Sequence, residues 1–315
     1  MKALVTGVAG FIGSQLAESL IQEGADVIGV DSFTDYYARE IKIANLEKLS
    51  ASSRFQLVEG SIEAMDLSTY LRDCTHVFHL AAQAGVRTSW GMNFSVYTTL
   101  NINATQTLLE ACLKSKIERF VYASSSSVYG EKAPLPMRED ALPLPISPYG
   151  LTKLAAEHLC MLYHRSYGLP TVSLRYFTVY GPRQRPDMAF HRFLTAAISG
   201  SSITLYGDGQ QTRDFTFIQD VVDATIAASK IGRSGNIYNI GGGSPVTLSQ
   251  SLDLISSCIG RTLDIKYETS QRGDMRDTYA DITRARQDLN YEPAVSLADG
   301  IQAEYQWMSS TKAFS

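Results

Sequence analysis

The first thirty residues constrain this chain most. Lys2-Ala3-Leu4-Val5-Thr6 is a short apolar run suited to a buried strand. Gly7, Gly10 and Gly13 follow in Gly-Val-Ala-Gly-Phe-Ile-Gly. A helical run from Ser14 to Glu23 comes next, and Gly24 suits a helix stop. Glycines let a chain turn sharply out of a strand and let a pyrophosphate approach the N-terminus of the following helix. The spacing is GxxGxxG, a variant of the commoner GxGxxG. A second strand, Ala25 to Val30, runs into Asp31. An acid there accepts hydrogen bonds from ribose hydroxyls and repels a 2′-phosphate, which predicts NAD rather than NADP. Gly7, Gly10, Phe11, Ile12, Gly13 and Asp31 are therefore candidate cofactor contacts. The alternative is a glycine-rich turn with no ligand; the strand, helix and acid in register argue against it.

The next 145 or so residues continue the alternation. A helical stretch is expected near Ile41 to Leu49, and strands at Phe55–Val58, Val77–Leu80, Phe120–Ala123 and Thr171–Arg175. Long helices are expected at Asn93–Ser115 and at Pro148–Tyr167, where Pro148 suits the first turn. Strand–helix alternation predicts an α/β fold, a doubly wound parallel sheet of Rossmann type with helices on both faces. After Arg175 the texture changes to loops rich in Arg, Pro, Gly and Asp. The expected division is an NAD-binding domain over residues 1–176 and a smaller substrate-binding lobe over 177–315. Segments near 213–240, including Arg213-Asp214-Phe215 and Tyr238-Asn239-Ile240, are expected to return to the main body.

Tyr149 and Lys153 are four residues apart on the second long helix, so they share one face. A phenol of pKa ~10 is a poor base at neutral pH. A neighbouring ammonium and a cationic nicotinamide would stabilise the phenolate, which points to hydride chemistry on an alcohol. Such a pair also occurs by chance on many helices, and only the glycine signature gives it weight. Upstream, the strand Phe120–Ala123 ends in Ser124, Ser125, Ser126 and Ser127, then Val128-Tyr129-Gly130. Ligands of an open parallel sheet bind beyond the strand carboxyl ends, where these hydroxyls would meet a reacting sugar hydroxyl. A serine-rich turn that satisfies its own backbone is the competing reading. The downstream Tyr–Lys pair tips the balance to function.

Composition narrows the function classes. Net charge is −4, with 44% hydrophobic and 19% charged residues, which suits a globular enzyme and argues against a nucleic-acid binder. No apolar run reaches the ~18 residues of a membrane span. Met1 leads directly into the first strand, so no signal peptide is expected. Cys74, Cys112, Cys160 and Cys258 lack metal-ligand spacing and read as reduced thiols of a cytoplasmic protein. His76 and His79 fall on opposite faces of a strand, which suits core or hydrogen-bonding roles better than a shared metal.

The motifs together resemble the extended short-chain dehydrogenase/reductase family, specifically its nucleotide-sugar epimerases. The resemblance covers nearly the whole chain. It rests on Gly7/Gly10/Gly13, Asp31, His79-Leu80-Ala81-Ala82, Ser125 with Val128-Tyr129-Gly130, Tyr149/Lys153, Arg213-Asp214-Phe215 and Arg276. It implies bound NAD, with Tyr149 as base, Lys153 as its electrostatic support and ribose contact, and Ser125 as the hydroxyl partner. Ser61, Ile62, Leu80, Ala81, Ala82 and Tyr176 complete the implied cofactor set. Relatives often carry Asp where this chain has Ser61, which weakens the adenine edge. Thr178-Val179-Tyr180-Gly181-Pro182 followed by Arg185-Pro186-Asp187-Met188-Ala189, with Ala84-Gly85-Val86-Arg87, looks like the UDP-glucuronate 4-epimerase subgroup. That likeness makes Thr178 and Arg185 candidates for the uronate carboxylate, for which a guanidinium and a hydroxyl are chemically suited. It places Arg87, Ser126, Ser127, Ala189, Phe190, Arg192, Tyr206, Gln211, Arg213, Arg276 and Asp277 around the UDP-sugar. It also implies a homodimer paired through the two long helices.

The implied reaction oxidises C4 to a ketone, turns the sugar over and reduces the other face. A 4-keto uronic acid is a β-keto acid and loses carbon dioxide readily unless its carboxylate is held out of alignment with the carbonyl. Related dehydratases and decarboxylases carry a carboxylate where this chain has Ser126-Ser127, which speaks against elimination chemistry. Three readings are weighed: a UDP-glucuronate 4-epimerase; an enzyme for neutral UDP-hexoses or a decarboxylase on the same frame; and a non-catalytic NAD-binding regulator. The complete Ser125/Tyr149/Lys153 set argues against the last.

Overall fold

The computed structural model describes residues 1–310. Its centre is a seven-stranded sheet, all parallel, in the order β3-β2-β1-β4-β5-β6-β10. The strands are β1 (Lys2–Thr6), β2 (Asp26–Asp31), β3 (Phe55–Glu59), β4 (His76–His79), β5 (Arg119–Ser125), β6 (Thr171–Tyr176) and β10 (Ile237–Ile240). The order reverses between β1 and β4. A crevice opens there beyond the carboxyl ends of the strands.

Both faces of the sheet are covered, so its strands read as continuous apolar runs rather than alternating ones. Side chains still alternate in direction. Ala3, Val5, Val27, Phe78 and Val121 enter one core with α1 (Phe11–Gln22) and with Val221, Val222 and Ala228 of a later helix. Leu4, Ile28, Val77, Phe120 and Tyr122 enter the other core. They meet α2 (Ala104–Leu113) and α3 (Pro148–Tyr167) there.

Local chemistry fixes α3. Ser147 caps its start, accepting from the Gly150 N–H at 3.1 Å; Pro148 occupies the first turn; Gly168 ends it at φ +73°. The other long helix is not uniform. Phe94–Tyr97 is α-helical, Thr98–Asn103 widens into a π-helical turn, and α2 resumes at Ala104.

The second lobe is built from α4 (Ala189–Ser199), α6 (Leu248–Ile259), α7 (Leu297–Ser310) and two small sheets. One sheet runs β11-β9-β7, from β7 (Thr178–Tyr180), β9 (Thr212–Phe217) and β11 (Pro245–Thr247); the other pairs β8 (Ile203–Tyr206) with β12 (Ile265–Glu268). Tyr180, Phe190, Phe193, Leu205, Phe215, Leu252, Ile255 and Ile301 form its core. The expected return to the main body is divided. Tyr238-Asn239-Ile240 lies in β10 of the large sheet, whereas Arg213-Asp214-Phe215 lies in β9 of the small one. The large-sheet position is regained by α5 (Ile218–Ile231), which packs against α1.

Candidate active site

Five strand ends converge on one cavity of about 640 Å³. Gly7 follows β1, Asp31 ends β2, Leu80-Ala81-Ala82 follow β4, Ser125 ends β5 and Tyr176 ends β6. The glycines are required by close backbone approach. Gly7 has φ +69°, and a Cβ there would come within 2.8 Å of the Ala81 nitrogen; a Cβ on Gly13 would collide with the Gly7 carbonyl oxygen. The turn thus lies flat against the loop after β4 and presents backbone at the start of α1. The Asp31 carboxylate accepts from the Ala9 and Phe33 N–H groups at 3.0 and 2.9 Å, which fixes its plane and leaves lone pairs facing the cavity. Nearby cations are committed elsewhere: Lys42 donates to the Thr34 carbonyl, and Arg39 pairs with Glu59. A dinucleotide without a 2′-phosphate fits this donor set. Phe11, Ile12, Ser61 and Ile62 also line the cavity, with the Ser61 hydroxyl turned to Glu63.

Tyr149, Lys153 and Ser125 reach the same cavity from α3 and β5. Lys153 is buried, and burial brings its ammonium down to about 8. Its Nζ lies 4.8 Å from the centre of the Tyr122 ring. The Tyr149 phenol is held above its ordinary pKa by burial. The leading charge that opposes this is Arg185, followed by a hydrogen bond from Ser125. The shared helix face brings the two side chains to one cavity, and Arg185 reaches it from the loop after β7.

A buried polar chain holds this corner. The Ala81 N–H donates to Thr6 Oγ1, Thr6 pairs with His79 Nδ1, and His79 Nε2 pairs with Thr105 Oγ1, which donates to the Asn101 carbonyl. Thr105 spends its proton on that carbonyl, so the network assigns the His79 proton to Nε2. Burial holds His79 far below its ordinary pKa, at about 3, and it is neutral. Asn101, in the π-helical turn, bonds both backbone groups of Gln83 and donates to Thr152 Oγ1 at 2.9 Å. The loop after β4 is thereby tied to the residue before Lys153. A second buried cluster lies behind the serines. Glu157 accepts from Ser124 Oγ at 2.6 Å and from Arg175 Nε and Nη2 at 3.0 and 2.7 Å.

The substrate candidates divide. Arg87, Ser126, Ser127, Thr178, Arg185, Ala189, Arg192, Tyr206, Gln211 and Arg213 line the cavity. Arg87 pairs with Asp274 at 2.6 Å and stacks on the Tyr206 ring at 4.4 Å, bridging the two lobes. An adjoining recess of about 170 Å³ is bounded by Ser126, Ser127, Thr178, Arg213 and Asp274. Three expected contacts fall outside the lining. Phe190 is fully buried in the second-lobe core, stacked on Phe215 at 4.4 Å. The Arg276 side chain is 64% exposed and turned to Asp208. Asp277 accepts from the Thr212 N–H and hydroxyl and serves the strand pairing. The residues missed by sequence reasoning are Tyr36, Gln83, Asn101, Asp187 and Asp274. Tyr36 reaches Asp187, and Asp274 reaches Arg87, across long chain separations for which the sequence carries no local signal; Gln83 and Asn101 meet across 18 residues, while the Asp187 pairing with Arg185 is local to the Arg-Pro-Asp run.

Among the described residues no cluster of His, Cys, Asp or Glu is arranged to hold a metal, and no helix is long and apolar enough to cross a membrane. A model of the NAD-dependent epimerase/dehydratase family matches residues 3–241. A Bacillus subtilis (strain 168) protein named uncharacterized UDP-glucose epimerase YtcB is 45% identical over 312 residues, spanning 98% of each chain. The UDP-glucuronate 4-epimerase of Thermodesulfobacterium geofontis (strain OPF15) is 40% identical over 310 residues, spanning 96% of this chain and 95% of that one. The crystal structure of a UDP-glucuronic acid 4-epimerase from Bacillus cereus, in complex with UDP-glucuronic acid and NAD, superposes with a TM-score of 0.95 at 46% identity over 98% of each chain.

Proposed function

This chain belongs to the NAD-dependent epimerase/dehydratase family, and we propose that it interconverts UDP-glucuronate and UDP-galacturonate at C4. The observation that carries this reading is Arg185. Its guanidinium lines the same cavity as Tyr149 and is the leading charge acting on that phenol. A neutral hexose has no use for a cation so close to its reacting carbon. A uronate carboxylate, one bond beyond C5, does.

The glycine turn and the start of α1 would hold the pyrophosphate of NAD, Asp31 its adenosine ribose, Lys153 its nicotinamide ribose, and Leu80 to Ala82 its flank. Bound NAD supplies the two-electron acceptor, and then the donor, for C4. The chain does the remaining work. Tyr149 takes the 4-hydroxyl proton and later returns it to the epimeric alcohol. Ser125 donates to Tyr149 and orients the hydroxyl. Arg185 and Thr178 hold the carboxylate, with Ser126 and Ser127 beside them, and keep its C–C bond out of line with the transient ketone. No carboxylate stands at Ser126 or Ser127 to drive elimination. Arg87, Arg192, Gln211 and Arg213 supply donors for UDP.

Finer points of the reading follow. Residues 1–176 serve mainly the cofactor and 177–315 the nucleotide sugar. The four free thiols, three of them buried, suit the reducing cytoplasm. Two copies pair through the long helices. Leu151 and Leu162, 49% and 54% exposed on one stripe of α3, support this pairing, as do Met92 and Val96. Other leucines of the two helices are used differently. Leu108 is core, Leu100 lines the cavity, and Leu154 and Leu159 are partly buried.

The test is Arg185→Ala assayed on acidic and neutral sugars. Charged hydrogen bonds contribute about 1.5–3 kcal/mol. Catalytic efficiency on UDP-glucuronate should therefore fall roughly ten- to a hundredfold, while any turnover of UDP-glucose changes little. Equal losses on both sugars would assign Arg185 to the diphosphate or the fold.

A further inference from the structure

Arg185 does not stand alone in the cavity. Its Nε and Nη2 donate to Asp187 Oδ1 and Oδ2, each at 3.0 Å, a side-on fork. The second of these oxygens accepts again: Tyr36 donates its hydroxyl to Asp187 Oδ2 at 3.1 Å. Tyr36 belongs to the segment after β2, which also carries Asp31. Its ring lies under the Arg185 guanidinium, 5.8 Å from the centroid. Its hydroxyl occupies the space beside Gly85, where a Cβ would collide with it; Gly85 adopts φ +100°. Three loops therefore meet at one carboxylate: the one after β2, the one after β4, and the one between β7 and α4.

The fork leaves chemistry unused. A guanidinium has two bidentate edges. Asp187 takes the side-on edge, Nε with Nη2. The end-on edge, Nη1 with the second Nη2 proton, has no partner among the described residues. We propose that Asp187, braced by Tyr36, is a specificity-determining positioning residue. It holds Arg185 side-on so that the end-on edge is presented to the substrate carboxylate. One cation then serves two carboxylates, one from the chain and one from the sugar.

The arrangement explains two features of the site. Arginine has a flexible stem, and a guanidinium left to itself would follow a rotating carboxylate. Anchored side-on, it dictates the carboxylate plane, which is what keeps a 4-keto uronate from losing carbon dioxide. It also tempers the charge. Asp187 opposes part of the effect of Arg185 on Tyr149. Burial and the neighbouring Asp187 hold the Tyr36 phenol up at about 12, so it remains a donor throughout the working pH range. Asp187 itself stays ionised, because Arg185 and the hydrogen bonds it accepts outweigh the cost of its burial.

The inference rests on the uronate reading, and the test separates the two. A Tyr149→Phe background carrying NAD stops turnover, so calorimetry can read the affinities for UDP-glucuronate, UDP-glucose and UDP. In that background Asp187→Asn should weaken UDP-glucuronate about tenfold, with UDP-glucose and UDP moving less than about twofold. Tyr36→Phe, a milder change that keeps the ring, should shift the same ratio in the same direction by less. With Tyr149 restored, Asp187→Asn should release a UDP-pentose and carbon dioxide from UDP-glucuronate. Tighter binding of UDP-glucuronate by Asp187→Asn would make Asp187 a competitor of the substrate and overturn the inference. So would an unchanged acid-to-neutral ratio in Asp187→Asn when Arg185→Ala abolishes that ratio. An unchanged ratio in Arg185→Ala itself would sink the uronate reading and the inference with it.

Discussion

Replacing Arg175 by methionine tests what holds the reacting strand ends. Arg175 and Glu157 have side chains 3% and 1% exposed, and their carboxylate–guanidinium pair is bidentate at 3.0 and 2.7 Å. Burial opposes the charge on Arg175, but the hydrogen bonds and field of Glu157 more than offset it and raise its pKa. In Arg175→Met the carboxylate stays buried with Ser124 as its remaining side-chain donor. Breaking a buried pair from one side costs about 3–5 kcal/mol. For a chain of this size that is a fall in melting temperature of roughly 5–10 °C. The double variant Glu157→Gln/Arg175→Met removes both charges and their desolvation cost, and it should recover most of the loss. Turnover should fall in the single variant, because Ser124 adjoins Ser125 and Glu157 lies one turn beyond Lys153. Melting curves and urea titrations of the two singles and the double give the coupling. Arg175→Met within about 1 kcal/mol of the parent, or a double variant as damaged as the sum of the singles, would refute the reasoning.

Tyr149→Phe should keep the fold and bound NAD but lose turnover by about 10²–10⁴-fold; near-parental turnover would remove the phenol from the reaction. Glu304 gives a pH test. It is fully buried, its Oε2 accepts from the Gly181 N–H, and burial raises its carboxyl to about 8 from an ordinary 4.5. The folded chain therefore holds a proton that the unfolded chain releases, and stability is lost as pH climbs from about 4.5 to about 8. Glu304→Gln keeps an acceptor for Gly181 without that loss. Its melting temperature relative to the parent should rise across this window, and a gap that stays constant with pH would rule Glu304 out as the titrating group.

What the sequence revealed was local. The strand–Gly7–α1 unit, Asp31, and the helix Pro148–Tyr167 are written in neighbouring residues: a glycine turn, an acid at a strand end, a proline and a glycine at helix ends. The interruption of the other long helix was not legible, because the π-helical turn at Thr98–Asn103 accompanies Asn101 bonding to Gln83 in a distant loop. The second lobe was read only as texture, since β7 and β11 have three residues each and acquire meaning only by pairing with β9. Phe190 illustrates the limit of reading by likeness. It lies next to Ala189, which does line the cavity, but the helix turns Phe190 into the core. The Tyr149–Lys153 spacing put two groups at one cavity, and Arg185 joins them there from a loop beyond β7. That loop was noticed through its sequence; its Asp187 brace required the fold.

The central claim is carbon-retaining C4 inversion of a uronate by a chain that needs no added reductant or oxidant. The direct measurement is incubation of the purified, NAD-loaded protein with UDP-glucuronate alone, with products resolved by chromatography and weighed by mass spectrometry. The account predicts a second species of unchanged mass with the retention of UDP-galacturonate, approached equally from either sugar. A product lighter by carbon dioxide, or conversion of UDP-glucose with UDP-glucuronate untouched, would contradict it.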